Sequence, residues 1–349
     1  MFRRLRPGDV VCKKWIFTRR RTTFWNWLEV RNTETGETAM CHLATELVIR
    51  FLPEYRFRAL IIKYLTQSGL SCIPQFVSYD ILHEPEASYG CLMVKPFGPS
   101  LERLRNRLSM MQLGQNTRFS LLTCLHIGLQ TLRALKEFHD AGFLYRPIEP
   151  SGFFLVSSSP TQEVVIIPLH ARRWSKFDYS NEPLPPRRPL DQSTFWYFGS
   201  TARSVPSHWR YPLRYASINV LRGNEPTRVD QLWSWFYMLF DLTMGSNHPK
   251  NWLSESWLYL TTISRVIDGK KAKHESASEW LDETPIEYLR VFEYLQSLSP
   301  WQEPDYSQLS LPLMKASRRE IEGAGGRKVL DWEAGGQHHA ILRSVVEDA

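Results

Sequence analysis

The sequence predicts a mixed α+β chain, a small β-rich region with one main helix followed by a larger, mainly helical region. Three observations predict it. From Asp9 to Val94 short β-rich runs (WIFT, FWNWLEV, AMCHLA, YGCLMV) alternate with turn residues such as NTETGET. Within that stretch Arg56–Leu65 (RFRALIIKYL) has a helical period, with Phe57, Leu60, Ile61 and Tyr64 at the spacing of one face. Beyond it the periods are mainly helical.

In order along the chain, YGCLMV at Tyr89–Val94 reads as a strand that KPFG, Lys95–Gly98, breaks with proline and glycine, and SLERLRNRL reads as a helix. RFSLLTCLHIGLQTLRALKEFH sets Leu122, Leu125, Leu129, Leu132 and Leu135 on one helical stripe, and Gly142 stops it. GFFLV and EVVII, joined by SSSPTQ, form a hairpin pattern. Ser175–Arg210 has little periodicity and includes the proline-rich stretch 183–189, which makes a long loop. Leu232–Met244 (LWSWFYMLFDLTM) is too short to span a bilayer and contains Asp241, so it reads as a buried helix. Helical patterns follow at Ser254–Ile267 and Pro285–Leu298. From about Arg318 charge, glycine and histidine predict a flexible tail ending in a short helix at Ile341–Val346.

With 349 residues, 43% of them hydrophobic, and 13 Trp, the chain buries a large core, which excludes disorder throughout. A net charge of +7, from 43 basic against 36 acidic residues, is a mild excess spread along the chain and reads as solvated surface. Only the basic pI, about 9.1, and the stretch FTRRRTTFWNW point to nucleic acid, and no recognisable nucleic-acid module is present. Five cysteines without a CxxC pair suit neither a disulfide framework nor a zinc ribbon, and they predict a reducing compartment, cytoplasmic or nuclear. The basic N-terminus has no apolar run behind it, so no secretory signal is expected.

Four strings give this order a family likeness. FGPSLERL at Phe97–Leu104 resembles the casein kinase 1 string LGPSLEDL, and RYASIN at Arg214–Asn219 is similar to the string that family carries in place of APE. DQLWSWFYML at Asp230–Leu239 resembles tau-tubulin kinase DDLWSLFYML, and PDYSQL at Pro304–Leu309 resembles the family's closing PDY motif. The chain therefore resembles protein kinases of the casein kinase 1 and tau-tubulin kinase type over most of Arg6–Ser317. The resemblance implies a bilobal kinase-like fold: an N-terminal extension at 1–8, a domain at 9–317 (N-lobe 9–94, hinge 95–98, C-lobe 99–317) and the tail at 318–349. Such strings testify to fold rather than to activity.

Phosphoryl transfer requires a glycine-rich loop, a strand lysine paired with a helix glutamate, a base aspartate, a metal-binding asparagine and the DFG aspartate. The first hairpin, RRRTTFWNW, has no glycine, and its Phe24, Trp25 and Trp27 are bulky. Against the family pattern, the lysine of V-A-I-K aligns with Cys41 in TAMC, and the helix glutamate with Arg58. GFLYRPIEPSGFF, Gly142–Phe154, aligns without gaps to GFLHRDIKPSNFA, which puts Tyr145 for the histidine, Pro147 for the base, Glu149 for the loop lysine and Gly152 for the metal-binding asparagine. Pro147 has no titratable group and no amide hydrogen. Pro168, Leu169 and His170 stand for DFG, which leaves no carboxylate for magnesium there. Gln231 replaces the aspartate that bonds the catalytic-loop backbone, and a neutral amide still donates and accepts.

Losing a general base costs roughly 10² to 10⁴ in rate, and one electrostatic clamp a comparable factor. Here base, lysine and both metal ligands are replaced together. The expectation is a catalytically inactive pseudokinase that binds a protein, either a phosphorylated partner or an active kinase relative. Residual serine/threonine kinase activity through an unorthodox site, with Glu149 or His170 recruited, is the alternative. No catalytic residue, metal or cofactor is expected, binding of ATP without metal being the less favoured case; no membrane or nucleic-acid partner is expected either. By the resemblance, a basic site near RYAS would hold phosphorylated or acidic segments, with Arg203, Arg210, Arg214 and Arg222 as its candidates. Pairing of Arg214 with a local carboxylate is the competing reading.

Overall fold

The computed structural model of the chain describes residues 6–20, 27–44, 52–83, 88–111, 118–145, 148–156, 164–166, 175–176, 213–224, 226–245, 248, 251–252 and 263–347. It divides into two compact units, one of residues 1–107, 150–170 and 340–349, the other of residues 108–149 and 171–339.

In the first unit the β-rich runs become strands β1 (Val10–Cys12), β2 (Trp15–Arg20), β3 (Trp27–Asn32), β4 (Thr38–Ala44), β5 (Phe76–His83) and β6 (Ser88–Val94). They form one antiparallel sheet in the order β1-β2-β3-β4-β6-β5. Lys13 on the turn after β1 reaches Asp80 on β5 at 2.8 Å, so the two ends of the order approach and the sheet curls. Alternate residues of the strands, among them Phe17, Leu28, Val30, Ala39, Cys41 and Met93, face one apolar interior. Helix α1 (Leu52–Gln67) covers more chain than Arg56–Leu65 and buries a different face from the expected one. Ala59, Ile61, Ile62 and Leu65 are buried, whereas Leu60 and Tyr64 are more than half exposed. The spacing of three and four residues fits two overlapping stripes, and packing selects the one with the small Ala59.

The strand YGCLMV gives way at Lys95–Gly98 as its proline and glycine predict, and helix α2 (Leu101–Met111) follows. After helix α3 (Leu121–Asp140), the short strand β7 (Phe143–Leu144) and a 3-10 turn at Pro150–Gly152 come β8 (Phe153–Leu155) and β9 (Val164–Ile166). The last two pair as the expected hairpin.

The second unit is mainly helical. Strand β10 (Ser175–Lys176), which pairs with β7, precedes α4 (Ile218–Leu221), α5 (Arg228–Met244), α6 (Ile263–Glu275), α7 (Ala277–Trp280), α8 (Ile286–Ser297) and α9 (Tyr306–Gly323). Every residue of α5 is buried, as its composition predicts, and Thr227 and Asp230 close its first turn with a reciprocal capping box. It meets α3 at Gly128, where an added Cβ would stand 3.0 Å from the Leu239 side chain. That approach lets Trp235 Nε1 donate to Gly128 O at 3.2 Å and to Thr131 Oγ1 at 3.0 Å. Because α3 packs against both α5 and α9, the leucine stripe does not describe its buried side. Leu125, Leu132 and Leu135 are buried together with Cys124, Ile127 and Thr131, while Leu122 and Leu129 are only half-buried.

Asp305, of the PDY string, caps α9 by accepting from Ser307 N at 2.9 Å. The tail expected from Arg318 is otherwise. Helix α9 runs on to Gly323, and Leu330, Asp331 and Trp332 are all less than 5% exposed. Helix α10 (His339–Glu347) contains the short helix expected at Ile341–Val346. Most of the long loop Ser175–Arg210, and the first part of the Ser254–Ile267 pattern, lie outside the described residues. No described helix is long and apolar enough to cross a membrane.

Candidate functional site

Ladder register decides which side chains share a face of the sheet, because residues directly opposite one another project to the same side. Met40 is opposite Val94, Cys41 opposite Met93, and His42 opposite Leu92. Cys41 and Val94 therefore lie on opposite faces. Cys41 is fully buried in the sheet's interior beside Leu28 and Met93, with Cys12 and Cys91 in the same apolar cluster. The bond to Cys91, together with burial, pushes the Cys12 thiol far up and makes it a poor nucleophile.

The residue on Val94's side is His42, one position on, and the string match missed it. Its signal was present in the sequence: Ala39, Cys41 and Leu43 are the apolar members of a period of two, so the polar residue between them belongs to the other face. Placing V-A-I-K against A-M-C-H rather than T-A-M-C sets His42 at the lysine position. The His42 side chain is half-buried.

A row of aromatic rings starts beside His42. Trp27, opposite it on β3, meets it edge to face with centroids 5.1 Å apart. Phe97 meets Trp27 at 5.1 Å and 87°, and Phe154 on β8 meets Phe97 at 5.3 Å and 70°. Backbone bonds fix that row: Gly98 N donates to Leu155 O at 2.6 Å, and Leu155 N donates to Pro99 O at 3.0 Å. Trp27, Phe97 and Phe154 are all at most 4% exposed. Edge-to-face ring pairs of this kind add about 0.5–1.5 kcal/mol each beyond the area they bury. Gly152 sits buried in the turn just before β8, and the Arg58 position falls on α1 with its side chain outside the described residues.

In the second unit the segment matching the catalytic loop is held by Gln231. Its Nε2 donates to Tyr145 O and its Oε1 accepts from Tyr145 N at 3.2 Å, so the amide donates and accepts at one residue. The same Oε1 accepts from His139 Nε2 at 2.8 Å, which leaves His139 Nδ1 to accept from Tyr306 OH. Burial lowers the pKa of His139 to about 4, keeping it neutral with the proton on Nε2. Tyr145 is fully buried edge-on to Phe138, and burial, with a smaller contribution from Glu149, pushes its phenol far up. Glu149 is half-buried. Pro147, Pro168, Leu169 and His170 lie outside the described residues.

Of the four arginines, Arg203 and Arg210 lie outside the described residues, and Arg222 is exposed at the end of α4. Arg214 is 6% exposed and its Nη1 stands 3.5 Å from the fully buried Asp241 carboxylate. Asp241 also accepts from Tyr215 OH at 2.6 Å and from Asn251 Nδ2 at 2.7 Å. The local pair, rather than an open anion site, is what the geometry gives at Arg214. Close by, the ammonium of Lys270 is buried, donating to Arg214 O at 2.9 Å and Ala216 O at 2.7 Å beneath the Tyr237 ring. Among the described residues no three His, Cys, Asp or Glu side chains gather as metal ligands would.

No protein-family model matches the chain. The class of protein to which it shows similarity is the serine/threonine protein kinases, at a distance. Over 218 residues it is 25% identical to a probable serine/threonine-protein kinase of Dictyostelium discoideum, a match covering 62% of this chain. The chain spans little more than a third, 37%, of that relative's length.

Proposed function

We propose that this chain is a bilobal protein-kinase-like domain that no longer transfers phosphoryl groups and works by binding another protein. The observation that carries the reading is the buried row of Trp27, Phe97 and Phe154 that starts beside His42. Trp27 stands opposite His42 on the sheet face where the resemblance calls for a lysine and a phosphate-bearing ligand, and Phe97 and Phe154 continue the row from it. The replacements at Pro147, Gly152 and Pro168 support it from the sequence. The casein kinase 1 and tau-tubulin kinase likeness remains part of the proposal, resting on the four strings. So does the holding of phosphorylated segments, which falls to Arg203, Arg210 and Arg222 because Arg214 is bonded to Asp241.

The test is thermal denaturation of the full chain with ATP, with and without Mg²⁺, beside a radiolabel transfer assay on a generic serine/threonine substrate. A ligand at one hundred times its Kd adds about 2.7 kcal/mol to stability, a readily measured shift. No shift and no transfer are expected. Metal-dependent stabilisation with label transfer would overturn the reading in favour of a working kinase with an unorthodox site.

A further inference from the structure

The strand order leaves one seam in the first unit, and two thiols meet at it. β1 and β5 stand at opposite ends of the order, yet Lys13, on the turn after β1, reaches Asp80 on β5 at 2.8 Å. Asp80 is directly opposite Cys91 on β6, so those two side chains share a face of the sheet. Cys12 immediately precedes Lys13 and is hydrogen-bonded to Cys91. That bond raises the Cys12 pKa, which makes the Cys12 S–H the donor and Cys91 Sγ the acceptor.

Two features suit the pair to chemistry as well as to packing. An S–H donating to a neighbouring sulfur stabilises that sulfur as a thiolate, so Cys91 is the nucleophile of the pair and Cys12 the thiol held protonated beside it. The pair is also close to solvent. Both thiols are at most 2% exposed, but the Lys13 and Asp80 side chains, which act on the Cys12 thiol electrostatically, are 72% and 31% exposed. β1 gives only three residues to the sheet, and its turn holds Lys13 at a φ of 45°, a left-handed conformation that a residue with a Cβ disfavours. A short edge strand ending in such a turn is the part of the sheet that opens at least cost.

We infer that Cys12 and Cys91 are a redox modification site, joined by a reversible disulfide when a peroxide reaches the seam. The Cys91 thiolate attacks one oxygen of hydrogen peroxide and the O–O bond breaks, which gives Cys91 sulfenic acid and a hydroxide that takes up the proton Cys91 released. The hydrogen bond that held the Cys12 proton is then lost. The Cys12 sulfur attacks Cys91 Sγ, the S–O bond breaks, and the leaving hydroxide departs as water with the Cys12 proton. Two electrons pass from the sulfurs to the peroxide, and two waters are released. The new bond ties β1 to β6 and closes the seam covalently, and a dithiol reverses it. The site stands apart from the protein-binding reading above and does not depend on it.

The test treats the full wild-type chain with a small excess of hydrogen peroxide under native conditions, then unfolds it in urea with iodoacetamide for peptide mapping without reduction. Two of the five thiols should escape alkylation, dithiothreitol should restore both, and fragment spectra should place the bridge between Cys12 and Cys91. Alkylation of all five, or a bridge between any other pair, overturns the inference. The variant Cys12→Ala separates the two roles. With Cys12 gone the sulfenic acid at Cys91 persists, so dimedone should label Cys91 about tenfold more than in the wild type after peroxide. Equal labelling in a variant that is folded by circular dichroism overturns the assignment of Cys91 as the nucleophile. The wild-type map needs no variant and decides the case by itself if Cys12→Ala does not fold.

Discussion

On the Val94 face of the sheet, Trp27, Phe97 and Phe154 meet ring against ring, whereas around Gln231 and Asp241 in the second unit buried polar groups are bonded to backbone and to each other. The first region is built from apolar ring contacts. The second keeps hydrogen-bonding groups whose work is to hold the chain in place, with an amide in the role the resemblance gives to an aspartate. In the second unit, buried polarity positions backbone.

The sharpest way to break that contrast is to put a charge on each face of β4. Cys41→Lys sets an ammonium among Leu28, Val30 and Met93, where a shift of three to five pKa units corresponds to about 4–7 kcal/mol. His42→Lys should cost about 1 kcal/mol for the contact with Trp27. Urea denaturation of the two variants separates them. Equal losses would mean that the register does not divide the faces as described.

Next in size is Asp241→Ala, which leaves Arg214, Tyr215 and Asn251 facing an empty site. Breaking a buried pair costs about 3–5 kcal/mol, and thermal or urea denaturation reads it directly. A loss within about 1 kcal/mol would show that the polar network is incidental to the second unit. Gln231→Leu comes next, at about 3 kcal/mol, since it strands both backbone groups of Tyr145 and the Nε2–H of His139. Its local mark is faster hydrogen exchange at the Tyr145 amide.

The order of elements was legible because periods of two and of three to four, punctuated by proline and glycine, follow directly from strand and helix geometry. The Trp-rich helix was legible for the same reason: no surface face can be drawn on Leu232–Met244. What failed did so where a one-dimensional pattern has more than one three-dimensional reading. A string match cannot tell Cys41 from His42, because sliding by one residue keeps similar letters and reverses the face. The α1 stripe slid for a like reason. In the stretch after Arg318 the buried residues, Leu330, Asp331 and Trp332 among them, are outnumbered by glycines and charges, so composition hides a contact that depends on Ser120, more than two hundred residues away.

A milder effect discriminates between the two regions by pH. His139 is neutral in the folded chain, its pKa lowered to about 4 from 6.5, chiefly by burial. Between those values the unfolded chain binds a proton that the folded chain does not, so stability is fully present above pH 6.5 and declines as pH falls towards 4. From this group alone the loss is about 1.4 kcal/mol per pH unit, hence about 1.4 kcal/mol at pH 5.5. His139→Gln can still bond Gln231 but cannot titrate, so its urea midpoint should fall less between pH 7 and pH 5.5 than that of the wild type. His274, lowered to about 4 by burial and by Lys270, remains in both proteins, so the difference isolates His139. Identical pH profiles would mean that the Gln231 cluster admits a proton on His139, and the buried network would then be less closed than the ring-filled face of the sheet.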